Sequence, residues 1–160
     1  MKPLAIILVL LVIAALVGMG WFYFNSNLEV TFSACVATDP VTQPDVFNQL
    51  KSSVENETFV GTLYSTAPLA SPEDCLFYTW TVHLNNKSFL PITVIEIQVT
   101  PMSGDILVIG DPAEHTLDPR ADSDLSVTML TARDKHSVRE AIVTWYVWGF
   151  PFSTRLTLGK

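Results

Sequence analysis

The sequence is poor in the residue types on which most enzymes depend for catalysis. Its 160 residues include two cysteines and three histidines, which are His83, His115 and His136. None of the histidines lies in a motif with a nucleophile. The sequence has no Gly-x-Ser-x-Gly elbow, no His-Glu-x-x-His pair and no phosphate-binding Walker loop. We therefore predict that the protein is not an enzyme and that it carries no cofactor.

Positive charge is also scarce. Nine Lys and Arg residues stand against sixteen Asp and Glu residues, so the formal net charge is −7 at pH 7. Every acidic residue lies at or beyond Glu29. An acidic domain repels phosphate backbones, which argues against a nucleic-acid partner.

The first part of the chain has almost no charge at all. No charged residue lies between Lys2 and Glu29, and the segment Pro3–Phe24 is apolar throughout. As a helix at 1.5 Å per residue it reaches roughly 30 Å, the thickness of a bilayer's hydrocarbon core. It ends in four aromatic residues, and Trp and Tyr favour the membrane interface. We predict a membrane anchor over residues 1–24, with Pro3 and Phe24 at the ends of one transmembrane helix.

A cleaved secretory signal is the main alternative for this segment. Signal peptides have an apolar run of about 7 to 15 residues followed by small residues. Here the run is longer, and the only small-residue candidate, Gly18-Met19-Gly20, is followed by Trp21. A lipoprotein signal is disfavoured because Cys35 lies well beyond the apolar run. Lys2 favours a cytoplasmic N-terminus, which makes residues 25–160 an extracytoplasmic domain at the cell membrane.

The two cysteines, Cys35 and Cys75, predict one disulfide, because that compartment is oxidising and their number is even. Closing a loop of about 40 residues stabilises a fold by roughly 4 kcal/mol on the chain-entropy model. Two free thiols are the alternative. A redox-active pair is disfavoured because the sequence has no Cys-x-x-Cys motif.

Beyond residue 25 the apolar residues mostly alternate with polar ones, which is the periodicity of β-strands. The pattern is clearest from Leu76 to Leu84. It predicts about eight strands, within residues 28–35, 58–64, 76–84, 93–99, 106–109, 125–131, 141–147 and 150–158. Residues 45–54 have helical spacing instead and predict a short amphipathic helix packed on a sheet. Thr66–Asp74 is predicted as a loop and Arg133–Ser137 as a hairpin tip. Antiparallel strands at these spacings indicate an all-β sandwich.

The second half of the chain resembles a known kind of domain. Its features are a strand ending in an Asn-rich turn, an alternating row, a Gly-Asp turn and a Leu-x-Pro loop that leads into another strand (Thr81–Ser88, Ile92–Thr100, Gly104-Asp105, Leu117–Ser123 and Leu125–Thr131). This arrangement resembles the immunoglobulin-like or fibronectin-like sandwich modules of bacterial envelope proteins, and it is similar to late-embryogenesis-abundant-type sandwiches. The resemblance implies an antiparallel Ig-like β-sandwich that acts as a scaffold or binding module, with no catalytic residues to carry over.

Acidic residues crowd into the stretch from Asp105 to Asp124. Calcium prefers several oxygen ligands, and loops of extracellular sandwiches often supply them. The candidate metal ligands are Asp111, Asp118, Asp122 and Asp124. The spacing does not fit an EF-hand loop, and two prolines divide the group. We expect a solvated loop here and keep calcium binding as an alternative.

The aromatic run from Trp145 to Phe152 predicts a binding surface. In a strand, Trp145 and Val147 point to one face, while Tyr146, Trp148 and Phe150 are candidates for the opposite, exposed face. Exposed aromatic side chains make good binding anchors. The alternative is that another element covers them, with the helix at 45–54 as the candidate.

These observations predict a single-pass, membrane-anchored extracytoplasmic β-sandwich. We expect it to have a structural or protein-interaction role at the cell envelope. Two alternatives stay open, namely a module that binds calcium or a glycan, and a small subunit of a larger membrane complex. Asn56-Glu-Thr58 and Asn86-Lys-Ser88 also match the pattern of a glycan acceptor.

Overall fold

The computed structural model describes residues 2–65, 69, 71–111 and 113–159. These residues form two α-helices, α1 (Lys2–Asn25) and α2 (Pro44–Glu55). They also form eight strands, which are β1 (Leu28–Thr38), β2 (Gly61–Leu63), β3 (Cys75–Asn86), β4 (Thr93–Val99), β5 (Asp105–Ile109), β6 (Asp122–Ala132), β7 (Arg139–Val147) and β8 (Phe150–Leu158). Of the loop predicted at Thr66–Asp74, residues 66–68 and 70 lie outside the described residues, and Pro72–Asp74 form a short 3-10 turn.

The strands form two antiparallel sheets, in the orders β1-β3-β6-β5-β2 and β4-β7-β8. The predicted class, mostly β with antiparallel pairing, is confirmed. The predicted hairpin at Arg133–Ser137 is wrong, because β6 pairs with β3 and β5 whereas β7 pairs with β4 and β8. That segment instead crosses from one sheet to the other. The Trp80 indole and the Tyr78 hydroxyl hold the crossing in place by donating to the carbonyls of Ser137 and Lys135, both at 3.0 Å.

The main hydrophobic core lies between the two sheets. The alternating row of β3 supplies its centre, where Trp80, Val82 and Leu84 are almost completely buried. The row of β7, which includes Val143 and Val147, belongs to the same cluster. The apolar positions of the predicted alternation therefore form the buried faces of both strands. Burying each such side chain contributes about 1.5–3 kcal/mol, so the two facing rows account for much of the driving force for folding.

Helix α2 covers part of the outer face of the larger sheet. Phe47 is buried there in a second cluster with Phe77, Leu107 and Leu130. The chain enters α2 through a short 3-10 turn in which the Asp39 carboxylate accepts from the amide of Val41 at 3.0 Å. Pro44 then occupies the first turn of α2, where its missing amide hydrogen has no helical partner to lose. The amphipathic helix predicted at residues 45–54 is confirmed.

Helix α1 is apolar on every side. Its segment Pro3–Phe24 has a mean hydropathy of 2.8 and none of the residues in its most apolar window is buried. The helix is therefore long and apolar enough to cross a bilayer, although a secretory signal meets the same criteria of length and composition. At the C-terminal end of α1, the amide and the hydroxyl of Ser26 both donate to the carbonyl of Phe22, at 3.0 and 2.8 Å. Only Ser26 and Asn27 separate α1 from β1.

The sandwich has two distinct ends. At the proximal end β1 begins beside α1, with Leu28 opposite Asn86 at the end of β3. The β3–β4 connection and the β7–β8 turn lie at this end. At the distal end β5 and β7 begin, at Asp105 and Arg139.

The predicted disulfide is absent, since both Cys35 and Cys75 are free. Strand register explains the error. Cys35 lies opposite Trp80 of β3, and Cys75 lies five positions before Trp80 on that same strand. At about 3.3 Å per residue this offset is far beyond the roughly 7 Å limit on the Cα separation of a disulfide.

Candidate interaction surface

The β7–β8 turn displays a tryptophan at its tip. Val147 pairs with Phe150, so Trp148 and Gly149 form a two-residue turn. Both have positive φ, at 51° and 81°, which is the signature of a type I′ turn. The first position of such a turn normally holds Asn, Asp or Gly, and a bulky residue with positive φ is a genuine outlier. Trp148 nevertheless occupies it with 69% of its surface exposed.

Aromatic contacts connect this turn to the end of α1. The ring of Phe22 stacks on Trp148, with centroids 5.3 Å apart and planes at 17°. It also meets the edge of Phe150 at 5.8 Å. Phe152 continues the series, 5.8 Å from Tyr23 and 6.1 Å from the buried Trp145. We call Phe22, Tyr23, Trp148, Phe150 and Phe152 the aromatic junction. Each such ring pair contributes about 0.5–1.5 kcal/mol beyond the area it buries.

The three predicted surface residues differ in how far they are exposed. Trp148 and Phe150 are exposed, Phe150 at 57%, whereas Tyr146 is only partly exposed. The alternative that the helix at 45–54 covers them is wrong, because α2 packs on the other sheet. The element that reaches them is α1. Their role in binding stays a prediction.

An apolar cleft of about 480 Å³ runs along the aromatic junction. One wall is the last turns of α1, beginning at Ala15 and including Gly18 and Met19. The other wall is the β7–β8 turn with Pro151. Nothing lies within 4 Å of the position that a side chain on Gly18 would occupy, so the cleft is open at that point.

A second exposed aromatic side chain lies at the proximal end. Phe89, in the β3–β4 connection, is 62% exposed. The guanidinium of Arg120 lies 4.2 Å above its ring centroid, which is a cation–π contact. This contact pairs the β3–β4 connection with the loop that leads into β6.

The side chain of Asn86 makes several hydrogen bonds at the proximal end of the sandwich. Its buried amide nitrogen donates to the carbonyls of Leu90 at 2.8 Å and Asp118 at 2.9 Å, and its oxygen accepts from the amide and hydroxyl of Ser88. Since the side chain is fully buried, the folded chain cannot take a glycan at Asn86. Asn56, in the other matching motif, is exposed.

A groove of about 510 Å³ opens between the two sheets on the side of β4. Its walls are β4 at Ile95–Val99, β5 with β2, and the loop residues Asp111 and His115. The 115–117 segment hydrogen-bonds the start of β4, through the His115 carbonyl to Ile95. Among the described residues, no strand pairs with the outer edge of β4 beyond that point. We call this feature the edge groove.

The four carboxylates proposed as calcium ligands are not gathered together. Asp111 accepts from the amide of Ala113 and pairs with His115 at 2.8 Å, and both contacts lower the pKa of that carboxyl. Asp124 pairs across strands with His83, also at 2.8 Å. Within the described ranges, no group of three or more His, Cys, Asp or Glu side chains is placed to hold a metal ion. The calcium alternative therefore has no geometric support in that part of the chain.

Several residues at these surfaces were not singled out by sequence reasoning. The sequence prediction places Phe22 in the aromatic end of the apolar segment and Arg120 in the Leu117–Ser123 loop, and it assigns Phe89 to no element. The one available signal was the lack of charge in both α1 and the strands around Trp148.

Comparisons with known proteins add little to this description. No family model matches the chain, and no curated protein matches it. Among solved structures, the chain is similar to a FixG-related protein from Vibrio parahaemolyticus, with 10% sequence identity and a TM-score of 0.34. The match covers 84% of this chain and 94% of that one.

Proposed function

We propose that the chain is a single-pass membrane protein that presents a β-sandwich outside the cytoplasm. In this proposal the sandwich has a structural or protein-interaction role at the cell envelope and performs no catalysis. One observation carries the membrane part, namely that α1 is an unbroken apolar helix, unburied along its length, whose last turn packs on the sandwich. The helix continues through Gly18-Met19-Gly20, the one candidate cleavage point. Lys2, the only positively charged side chain near either end of the segment, supports a cytoplasmic N-terminus.

The sandwich is proposed to be Ig-like. Strands β1, β3, β6 and β5 lie in the order that strands A, B, E and D have in an immunoglobulin constant-type domain. Strands β4, β7 and β8 have the order of C, F and G. The short β2 then adds to the free edge of β5. This correspondence supports the resemblance to envelope sandwich modules.

The edge groove supports an interaction role. Extended peptides bind exposed sheet edges by adding a strand, with main-chain hydrogen bonds for affinity and side-chain pockets for selectivity. The outer edge of β4 at residues 96–99 and the mixed polar and apolar walls offer both.

The placement of the histidines supports the proposal that the protein performs no catalysis. They do not converge, since they lie on β3, on the loop before β6 and on the crossing segment.

The membrane part is tested by placing a charge in the middle of α1. Ile13→Arg introduces a charge that costs about 2.5–3.5 kcal/mol at the centre of a spanning helix. We expect alkaline carbonate to extract this variant from membranes, whereas the unchanged chain stays in the membrane pellet. Val36→Arg is the matched control, because Val36 is an exposed apolar residue of the sandwich. An intact mass that shows the chain cleaved after Gly20 would overturn the anchor.

The partner is tested by site-specific photo-crosslinking in intact cells. A photoreactive residue at Gln98, which is exposed in the edge groove, is expected to form discrete adducts. The control is the same residue at Arg155, which is exposed on β8. Equal adducts at both positions would show that the groove is not a specific binding surface.

A further inference from the structure

We propose that the β7–β8 turn is a second membrane contact, in which Trp148 and Phe150 lie in the interfacial layer of the bilayer that α1 crosses. This inference rests on the proposed function, since it requires α1 to span the membrane. The occupant of the surface is lipid, and the contact fixes how the sandwich stands on the bilayer.

The depth of the turn follows from its contact with α1. The apolar segment Pro3–Phe24 has 22 residues, which as a helix measure about 33 Å against a hydrocarbon core of about 30 Å. Phe22 therefore lies at the level where hydrocarbon gives way to headgroups. Because Trp148 stacks on Phe22 at 5.3 Å, the tip of the turn lies at that same level. The cleft beside it extends along α1 as far as Ala15, two turns deeper.

The chemistry of the turn suits that position. Trp is enriched at membrane interfaces, where its amphipathic ring meets both headgroups and chains. Trp148 and Phe150 expose most of their surface, although aromatic side chains of this size gain 150–250 Å² of burial when they find a partner. The turn also holds Trp148 at positive φ, where Asn or Gly is preferred. Backbone strain of this kind is found where function requires a side chain in a fixed place.

The charge pattern supports the same conclusion. Residues 141–154, which include the turn and most of the strands on either side, contain no Asp, Glu, Lys, Arg or His. Charges return at both ends of this run, with Glu140 and Arg155. This run includes a turn that packs on α1, since Trp148 and Phe150 both contact Phe22, so no charged side chain of these residues has to approach the bilayer with it. Phe89, exposed at the same end, gives the sandwich a second apolar tip.

The test measures how closely Trp148 approaches lipid in the full chain. The protein is reconstituted in phosphatidylcholine vesicles whose acyl chains are brominated near the headgroup, since bromine quenches indole fluorescence on contact. Emission of Trp21→Phe minus that of Trp21→Phe/Trp148→Phe isolates Trp148. We expect this difference signal to lose about half of its intensity in brominated vesicles and to resist aqueous iodide, as an interfacial indole should. Near-UV circular dichroism confirms that both variants fold.

Two controls make the outcome decisive. The emission of Trp148→Phe minus that of Trp21→Phe/Trp148→Phe isolates Trp21, and quenching of this signal by brominated lipid reports on α1 itself. If Trp21 is not quenched, the proposed membrane anchor fails. If Trp21 is quenched while Trp148 is not, only the second contact is overturned. Met102→Trp in the background that lacks Trp21 and Trp148 places an indole at an exposed distal position, and we expect iodide to quench it and brominated lipid to have no effect.

Discussion

The guanidinium of Arg139 meets the carboxylate of Asp105 inside the sandwich, with Nη2 2.6 Å from Oδ1 and Nε 3.0 Å from Oδ2. Both side chains are almost completely buried. The pair joins the first residue of β7 to the first residue of β5, and so connects the two sheets at the distal end. Arg139 also donates to the carbonyls of His136 and Val138, while Thr131 and the amide of Met102 donate to Asp105. A buried ion pair with this many hydrogen-bond partners favours one particular arrangement of the strands.

Breaking the ion pair should destabilise the fold strongly. Arg139→Met leaves the Asp105 carboxylate buried without its partner, which costs about 3–5 kcal/mol. Urea unfolding of the full chain in mild detergent measures the loss. Arg155→Met is the matched control, since Arg155 is exposed, and we expect it to change the free energy of unfolding by less than about 0.5 kcal/mol. Equal effects of the two changes would contradict the role of the pair.

The same pair predicts how stability depends on pH. Burial by itself raises the pKa of Asp105, but the hydrogen bonds from Arg139, Met102 and Thr131 outweigh it and hold the pKa below its ordinary value. The folded state therefore binds this proton less tightly than the unfolded state. The stabilisation is complete above the ordinary pKa of about 4 and is lost as pH falls through the folded pKa.

Asp105→Asn should flatten this acid limb of the stability profile. The measurement is the free energy of unfolding at a series of pH values below about 4, the ordinary pKa of Asp. Asp134→Asn serves for comparison, because that carboxyl is fully exposed and pairs with Lys135 on the surface. An unchanged slope in Asp105→Asn would show that other carboxyls govern acid unfolding.

Both cysteines should be found as thiols. Burial raises the pKa of Cys75 and of Cys35, in the second case against a hydrogen bond with Ser137. Alkylation of protein unfolded without reductant should add two labels by mass spectrometry. In the native chain we expect Cys75, which is fully buried, to react more slowly than Cys35. If the unfolded protein takes up no label until it is reduced, the two cysteines form a disulfide and the prediction is wrong.

Replacing Asn86 should disturb the whole proximal end. Asn86→Asp keeps the shape but removes the two donors that satisfy the Leu90 and Asp118 carbonyls, and it buries a charge. We expect a loss of about 3 kcal/mol or more in the free energy of unfolding. Asn56→Asp is the control at an exposed position. Thermal unfolding, monitored by near-UV circular dichroism, distinguishes the two variants.

The parts of the fold that sequence predicts are those with a local period. The β3 row around Trp80 and the α2 face around Phe47 follow from alternation and from helical spacing, because each pattern is complete within a few residues. The sheet change at Arg133–Ser137 and the separation of Cys35 from Cys75 depend on strand register, which no local pattern fixes.

The candidate site is harder still to predict. Phe22 and Trp148 are more than a hundred residues apart in the chain, and their contact depends on how α1 packs on the sandwich. Arg139 and Asp105 also come from different strands, and no local sequence pattern around either residue marks it as buried. Composition gave the apolar character of both partners at the junction, but only tertiary structure brings them together.

The two-residue connection between α1 and β1 limits the distance between the sandwich and α1. Ser26 and Asn27 span at most about 7 Å even when extended, so the sandwich cannot drift away from its anchor. Strand β3 runs the length of the body in 12 residues, about 40 Å at 3.3 Å per residue. With α1 across a membrane, as proposed, the described part of the sandwich would stay within about that height of the headgroups, and a partner would have to approach the membrane surface to reach it.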